Sequence, residues 1–287
     1  MKELTIISGK GGTGKTSLTA AFAGLAQNKI TVDADVDAAD MDLILTPSVR
    51  YEEDFKGGHY AVIRQDLCTE CGECRERCQY GAISEDFVID KIDCEGCGVC
   101  VYFCPAEAIE FPQRTCGRWY ISDTRHGTLV HAKLGIAEEN SGLLVSLLRQ
   151  KAKEIAEQEG LERIIVDGPP GIGCPVIASV TNSNGVLVIT EPTLSGIHDM
   201  QRVQELAEFL NVPTMLCINK YDLNPGMAEK MQQYAQNRQI KYVGAVPYDR
   251  DMTKSMVEQK TLLEYSDGKA ATAVRQIWDS VAETVFP

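Results

Sequence analysis

No run in this 287-residue chain approaches the roughly 18 apolar residues that a spanning helix needs, so no membrane span is expected. Basic residues are in short supply, 28 Lys and Arg against 41 Asp and Glu for a net charge of −13, and they form no long tract. Binding to nucleic acid through phosphate neutralisation is therefore disfavoured, and no nucleic-acid partner is expected. The stretch Ala270 to Val285 has too few basic residues for a membrane-surface anchor and reads as a docking helix. Histidine is scarce as well, and His59, His126, His131 and His198 show no ligand spacing. The chain opens almost at once on an apolar strand, leaving no room for a signal or transit peptide, so the expected location is cytoplasmic. Cysteine, by contrast, is abundant at eleven residues, and in a cytoplasmic setting this points to metal or redox chemistry more than to disulfides.

The stretch Ser8-Gly9-Lys10-Gly11-Gly12-Thr13-Gly14-Lys15-Thr16-Ser17 fits G-x-x-x-x-G-K-[ST] from Gly9 to Thr16. It lies between the apolar run Leu4 to Ile7 and a helix-like run from Leu18 to Ala26, as a phosphate loop requires. Glycines let backbone N–H groups turn toward a polyphosphate, and the helix start offers its positive end. Lys15 is the candidate for the β/γ-phosphates, and the Thr16 hydroxyl for Mg²⁺. A Gly-rich turn alone would not account for Lys15-Thr16 at the helix start.

Cys68, Cys71, Cys74 and Cys78 form C-x2-C-x2-C-x3-C, and Cys94, Cys97, Cys100 and Cys104 repeat it. Tyr80-Gly81-Ala82-Ile83 after the first run is echoed by Ala106-Glu107-Ala108-Ile109 after the second. Structural zinc is the competing reading, although zinc fingers usually separate two C-x2-C pairs by a longer loop. From about Gly58 to Pro112 the chain resembles a bacterial two-cluster ferredoxin, with Gln79 standing where that family usually has proline. The resemblance implies two [4Fe–4S] clusters with an exchanged fourth ligand: Cys68, Cys71, Cys74 and Cys104 for one, and Cys94, Cys97, Cys100 and Cys78 for the other. Between Gly57 and Phe111, eleven acids against four bases leave −7, which suits either a redox partner protein with a basic docking face or an ordinary solvated acidic surface.

Lys10 after the first glycine gives GKGGTGKT, which resembles the deviant phosphate loop of the MinD/ParA/Mrp/nitrogenase-iron-protein class of P-loop ATPases. That resemblance implies a dimer formed on ATP binding, with itself or with a paralogue, in which Lys10 reaches the partner's phosphates. It also assigns Asp35, with Asp33 as runner-up, to the attacking water and Mg²⁺ sphere at the end of strand Lys29 to Val32. Asp167, in Arg163 to Gly171, would orient Mg²⁺-bound water. The tetrapeptide Asn219-Lys220-Tyr221-Asp222 matches the N-K-x-D base-reading motif of GTPases, but in this class the asparagine contacts adenine, aided by a later loop such as Val246 to Asp249 with Pro247. ATP is therefore expected over GTP. Cys217 reads as core, while Cys174, seven residues after Asp167, and Cys116 are the candidates for any further shared cluster.

Alternating strand and helix patterns specify an α/β, doubly wound, mostly parallel sheet interrupted by a small α+β ferredoxin-like domain. The expected bounds are 1–57 and 113–287 for the ATPase and 58–112 for the insert. The expected function is a Mg²⁺-dependent ATPase, slow without a partner, that couples nucleotide state to electron transfer. The alternatives are an iron–sulfur carrier of the Mrp type and a MinD-like positioning protein.

Overall fold

The computed structural model describes residues 1–135 and 140–287. It divides into two compact units: Met1–Glu53, Trp119–Lys133 and Ser141–Pro287 form the first, and Asp54–Arg118 with Leu134–Asn140 the second. The expected insert, 58–112, lies inside the longer segment of the second unit, which is wider at both ends. The additional segment 134–140 belongs there too, and Gly135 N donates to Cys116 O at 2.8 Å, a long-range bond that no local pattern announces.

The strands in chain order are β1 Lys2–Ser8, β2 Lys29–Asp33, β3 Ser48–His59, β4 Val62–Ile63, β5 Ile109–Glu110, β6 Gln113–Thr124, β7 Gly127–Leu134, β8 Arg163–Pro170, β9 Gly185–Thr190, β10 Thr214–Asn219 and β11 Lys241–Val246. The helices are α1 Lys15–Leu25, α2 Met41–Leu45, α3 Glu73–Arg77, α4 Val99–Tyr102, α5 Ser141–Glu159, α6 Cys174–Val180, α7 Leu194–Phe209, α8 Pro225–Asn237, α9 Arg250–Val257, α10 Leu262–Tyr265 and α11 Lys269–Val285. One sheet takes nine strands in the order β11-β10-β9-β1-β8-β2-β7-β6-β3.

From β11 to β7 the pairings are parallel. Strands β6 and β7 are neighbours joined by the two residues Arg125-His126, which forces them antiparallel. The central strands are apolar on both faces because helices cover both sides. Ile6 packs with Phe22, Leu187, Val274 and Trp278 on the face of α1 and α11, while its neighbour Ile7 packs with Val176, Val188, Met200 and Leu216 on the face of α6 and α7. That is period-two alternation inside an unbroken apolar run. The expected docking helix is α11, which buries Val274, Ile277, Trp278, Val281 and Val285. Trp278 and Phe22 meet at 5.3 Å between ring centroids. The helix expected over 142–158 is α5, and Gly160 at φ 67° ends it.

The second unit repeats itself at an offset of 26 positions. Glu70, Gly72 and Gly81 adopt left-handed backbone, and so do Gly96, Gly98 and Glu107, their counterparts. Gly72 and Gly98 each open a one-turn helix, α3 and α4. The halves interlock crosswise. Arg64 N donates to Ala108 O at 2.7 Å and its counterpart Asp90 N to Ala82 O at 2.8 Å, so each half closes its hydrogen bonds on the other. The short pair β4–β5 and the bridge Ile83–Ile89 complete the unit.

Candidate functional site

In the first unit, β1 delivers the loop Gly9–Gly14 to the start of α1. Gly12 (φ 80°) and Gly14 (φ 87°) take conformations that other residues adopt at a cost. Gly9 is required for space: a Cβ there would stand 2.2 Å from Asp199 Cβ on α7. Helix α1 begins with no capping side chain and no acid in its first turn, so its leading amides and dipole face the loop uncompensated. Gly11 to Ser17 line a cleft of about 320 Å³, together with Ser8, Asp35, Ala38, Asp40, Pro170, Asn219, Lys220, Met252, Thr253 and Met256.

Lys15 is buried in this cleft, its Nζ 3.2 Å from Asp167 and 3.3 Å from Asp35. Burial works against its charge, but Asp167, Asp35 and Asp33 outweigh that and hold the ammonium above its ordinary value. Asp33 is pushed well up by burial and by Asp167. Asp35 is raised by burial despite Lys15 beside it. The two aspartates of the β2 end divide the work. Asp33 accepts the backbone N–H groups of Asp35 and Met41, each at 3.2 Å, and so fixes the turn into α2, while Asp35 lines the cleft.

Asp167 lies within β8 rather than at its end, because the strand continues through Gly168 to Pro170. Gly168 packs too closely on Ile7 for a Cβ, which would meet Ile7 Cγ2 at 2.7 Å. Asp167 Oδ1 accepts the Thr19 hydroxyl at 2.8 Å, whereas Oδ2 is buried without a protein partner. Two carboxylates flank the one ammonium, and the orphaned Asp167 oxygen beside them is a hard oxygen donor left for a divalent cation to complete.

The residues expected to read the base separate. Asn219 donates from Nδ2 to Thr13 O at 2.7 Å, and its Oδ1 accepts Lys220 N at 3.0 Å, so its amide braces the phosphate loop. Asp222 accepts Tyr248 N at 2.6 Å, and neither Asp222 nor Pro247 lines the cleft. Met252 and Met256, one turn apart on α9, line it with Thr253. Their spacing was visible in the sequence, but nothing local connected α9 to the loop.

Lys220, left-handed at φ 56°, donates to Gly12 O at 3.3 Å and pairs with Glu191. Lys10 lies 3.5 Å from the same carboxylate and 3.5 Å from Ser195 Oγ. Glu191, Ser195 and Thr19 carry no motif in the sequence: Lys10, the partner of the first two, and Asp167, the partner of Thr19, each lie more than a hundred residues away.

In the second unit the eight repeated cysteines divide between two apolar cavities. One is lined by Cys68, Cys71, Cys74 and Cys104 with Ile63, Phe87 and Ile109. The other is lined by Cys78, Cys94, Cys97 and Cys100 with Ile83 and Ile89. Glu70 N donates to Cys68 Sγ at 3.4 Å and Ala108 N to Cys104 Sγ at 3.3 Å. Burial pushes the Cys100 thiol up to about 11. Among the described residues no three His, Cys, Asp or Glu side chains converge to hold a single metal ion. Cys217 is fully buried, its thiol pushed up to about 12 by desolvation, as a core residue. Cys116 is buried and donates to Gly57 O at 2.8 Å, while Cys174 is exposed at the start of α6.

With the loop, the carboxylates and the parallel sheet in place, comparison with known proteins decides the family. The profile described as the CobQ/CobB/MinD/ParA nucleotide binding domain matches residues 4–262. The chain belongs to this family. Among its relatives, the uncharacterized protein MJ0578 of Methanocaldococcus jannaschii is 33% identical, over 99% of this chain and 97% of its own. MJ0579 of the same organism is 26% identical, over 93% and 94%. The cell division ATPase MinD of Pyrococcus furiosus superposes with a TM-score of 0.61 at 15% identity, over 98% of both chains. MinD of Pyrococcus horikoshii in complex with Mg-ADP gives 0.60 at 15%, over 98% and 95%. At such identities these structures share the fold. No helix among the described residues is long and apolar enough to cross a membrane.

Proposed function

We propose that this family member is a Mg²⁺-dependent ATPase that dimerises on binding ATP and carries two [4Fe–4S] clusters, its nucleotide state coupled to electron transfer. The observation that carries the cluster reading is the crosswise sorting of the cysteines. Each cavity takes three thiols from one run and the fourth from the other, as the interlocked backbone of the two repeats requires. The same residues would hold the clusters, and each cluster, when bound, supplies one-electron chemistry at a potential tuned by backbone N–H groups such as those on Cys68 and Cys104.

At the nucleotide cleft the chain's own parts suit phosphoryl transfer. The loop amides and the uncapped start of α1 bind the phosphate oxygens, and Lys15 neutralises charge between them. Thr16 and Asp167 would hold Mg²⁺, which supplies charge neutralisation, and the orphaned Asp167 Oδ2 fits that role. Asp35 orients the attacking water, and Met252 and Met256 give the cleft an apolar wall suited to a base. That one organism holds two relatives matched over nearly their whole lengths is compatible with pairing either with itself or with a paralogue.

Anaerobic purification tests the reading. About eight iron and eight sulfide per chain are expected from two four-iron sites, and Cys94→Ser should leave about four of each. Stoichiometric zinc would overturn it. Reductive titration with and without ATP then tests coupling, which predicts a nucleotide-dependent change in the EPR spectrum. A carrier role draws support from the exposure of Cys71 and Cys97, and rapid transfer of a cluster to an apo-acceptor would favour it.

A further inference from the structure

Glu191 leaves β9 just ahead of α7 and receives two ammonium groups. Lys220 Nζ bonds Oε1, and Lys10 Nζ stands 3.5 Å from Oε2 while also reaching Ser195 Oγ at 3.5 Å. The Glu191 side chain is 15% exposed and that of Lys10 is 35% exposed. Gly9 lies against Asp199 with no room for a Cβ, so the loop backbone is fixed on α7 and the Lys10 side chain is the part that can swing.

We propose that Glu191 and Lys220 are positioning residues for Lys10: Glu191 holds Lys10 on its own chain, and Lys220 keeps that hold weak enough to release. This rests on the reading that Lys10 acts across an ATP dimer. One carboxylate facing two cations is over-neutralised. When Lys10 departs toward a partner's phosphates, Glu191 stays paired with Lys220, and no largely buried carboxylate is stranded. Without Lys220 the same departure would leave Glu191 unpaired, so Lys10 would be held more tightly. Because Lys220 also bonds Gly12 O, the loop keeps its shape while Lys10 swings.

The test measures the acetylation rate of Lys10 in the full-length, nucleotide-free chain by mass spectrometry. Glu191→Gln should speed it and Lys220→Met should slow it, each about threefold, the size an ion pair at this exposure allows. The double variant should match Glu191→Gln alone, because nothing then remains to hold Lys10. Equal rates in all four proteins would overturn the proposal. So would faster labelling in Lys220→Met, which would mean that Lys220 shapes the loop instead. ATP-dependent association, followed by sedimentation, provides the separate arm. Lys220→Met should need more ATP for half-association than wild type, with the double variant restored. A Lys10→Ala chain that associates like wild type would refute action across the dimer while leaving the labelling result standing on its own.

Discussion

Replacing Glu264 by Gln should destabilise the first unit by about 2 kcal/mol at pH 7, and the deficit should roughly halve by pH 3. Arg125, in the turn between β6 and β7, sends Nε and Nη2 to the two Glu264 oxygens at 2.6 and 2.9 Å. It also donates to the carbonyls of Ile44, Leu45 and Gln259. Glu264 in turn accepts the Thr261 amide in the capping box of α10. The Arg125 guanidinium holds the Glu264 carboxyl down to about 2. Against about 4.3 for an unperturbed Glu, linkage gives about 3 kcal/mol at neutral pH, and about 2 remains once exposure of nearly a third of both side chains is allowed for. The folded pKa is depressed, so this stability is present above about 4.3 and is lost as pH falls through about 2. Trp119 and Trp278 both belong to the first unit, so urea unfolding followed by their fluorescence reads it directly. Because Arg125 ties the end of α2 to Gln259, two residues past the end of α9, Arg125→Lys should also weaken ATP binding through the α9 wall of the cleft. No deficit for Glu264→Gln at pH 7, or an equal deficit at pH 7 and pH 3, would refute the reasoning.

Three further outcomes are expected. Gly9→Ala should abolish ATP binding, because the added methyl collides with Asp199, whereas Gly11→Ala, with nothing within 4 Å of the new carbon, should bind far better in the same calorimetric titration. Asp167→Asn should lower Mg²⁺-dependent hydrolysis on the order of 10²-fold while leaving Mg²⁺-free nucleotide binding nearly intact, as a phosphate-release assay and calorimetry would show. Burial holds His131 down to about 4, between the Tyr120 ring and the Ser122 hydroxyl. The stability it contributes is present above about 6.5 and lost as pH falls toward 4, so wild type should lose about 2 kcal/mol more than His131→Phe between pH 8 and pH 5 in urea unfolding.

The parts of the site that follow from local chemistry were legible in the sequence. A loop of glycines before Lys15-Thr16, a carboxylate in an apolar strand at Asp167, and two evenly spaced cysteine runs each carry their meaning within a dozen residues. What escaped depends on contacts between distant segments. The tetrapeptide of Asn219 carries a base-reading motif, but it does not announce that this cleft-lining amide also bonds Thr13 O of the phosphate loop. Glu191 carries no motif, and its importance comes from two lysines that approach it from the loop after β1 and from the residue after β10. Gly135 joins the second unit through a bond to Cys116 O that no periodicity encodes. Helices α8 to α10 were missed because their short apolar faces are weak signals beside the long runs of the central strands.

The bare leading turn of α1 sets a trade between sturdiness and affinity. Its amides are left for an anion from outside the chain to complete, so the ligand finishes the secondary structure as well as filling a cleft. An engineer who gave that helix a capping serine or an early glutamate would gain a sturdier resting protein and a poorer grip on triphosphate.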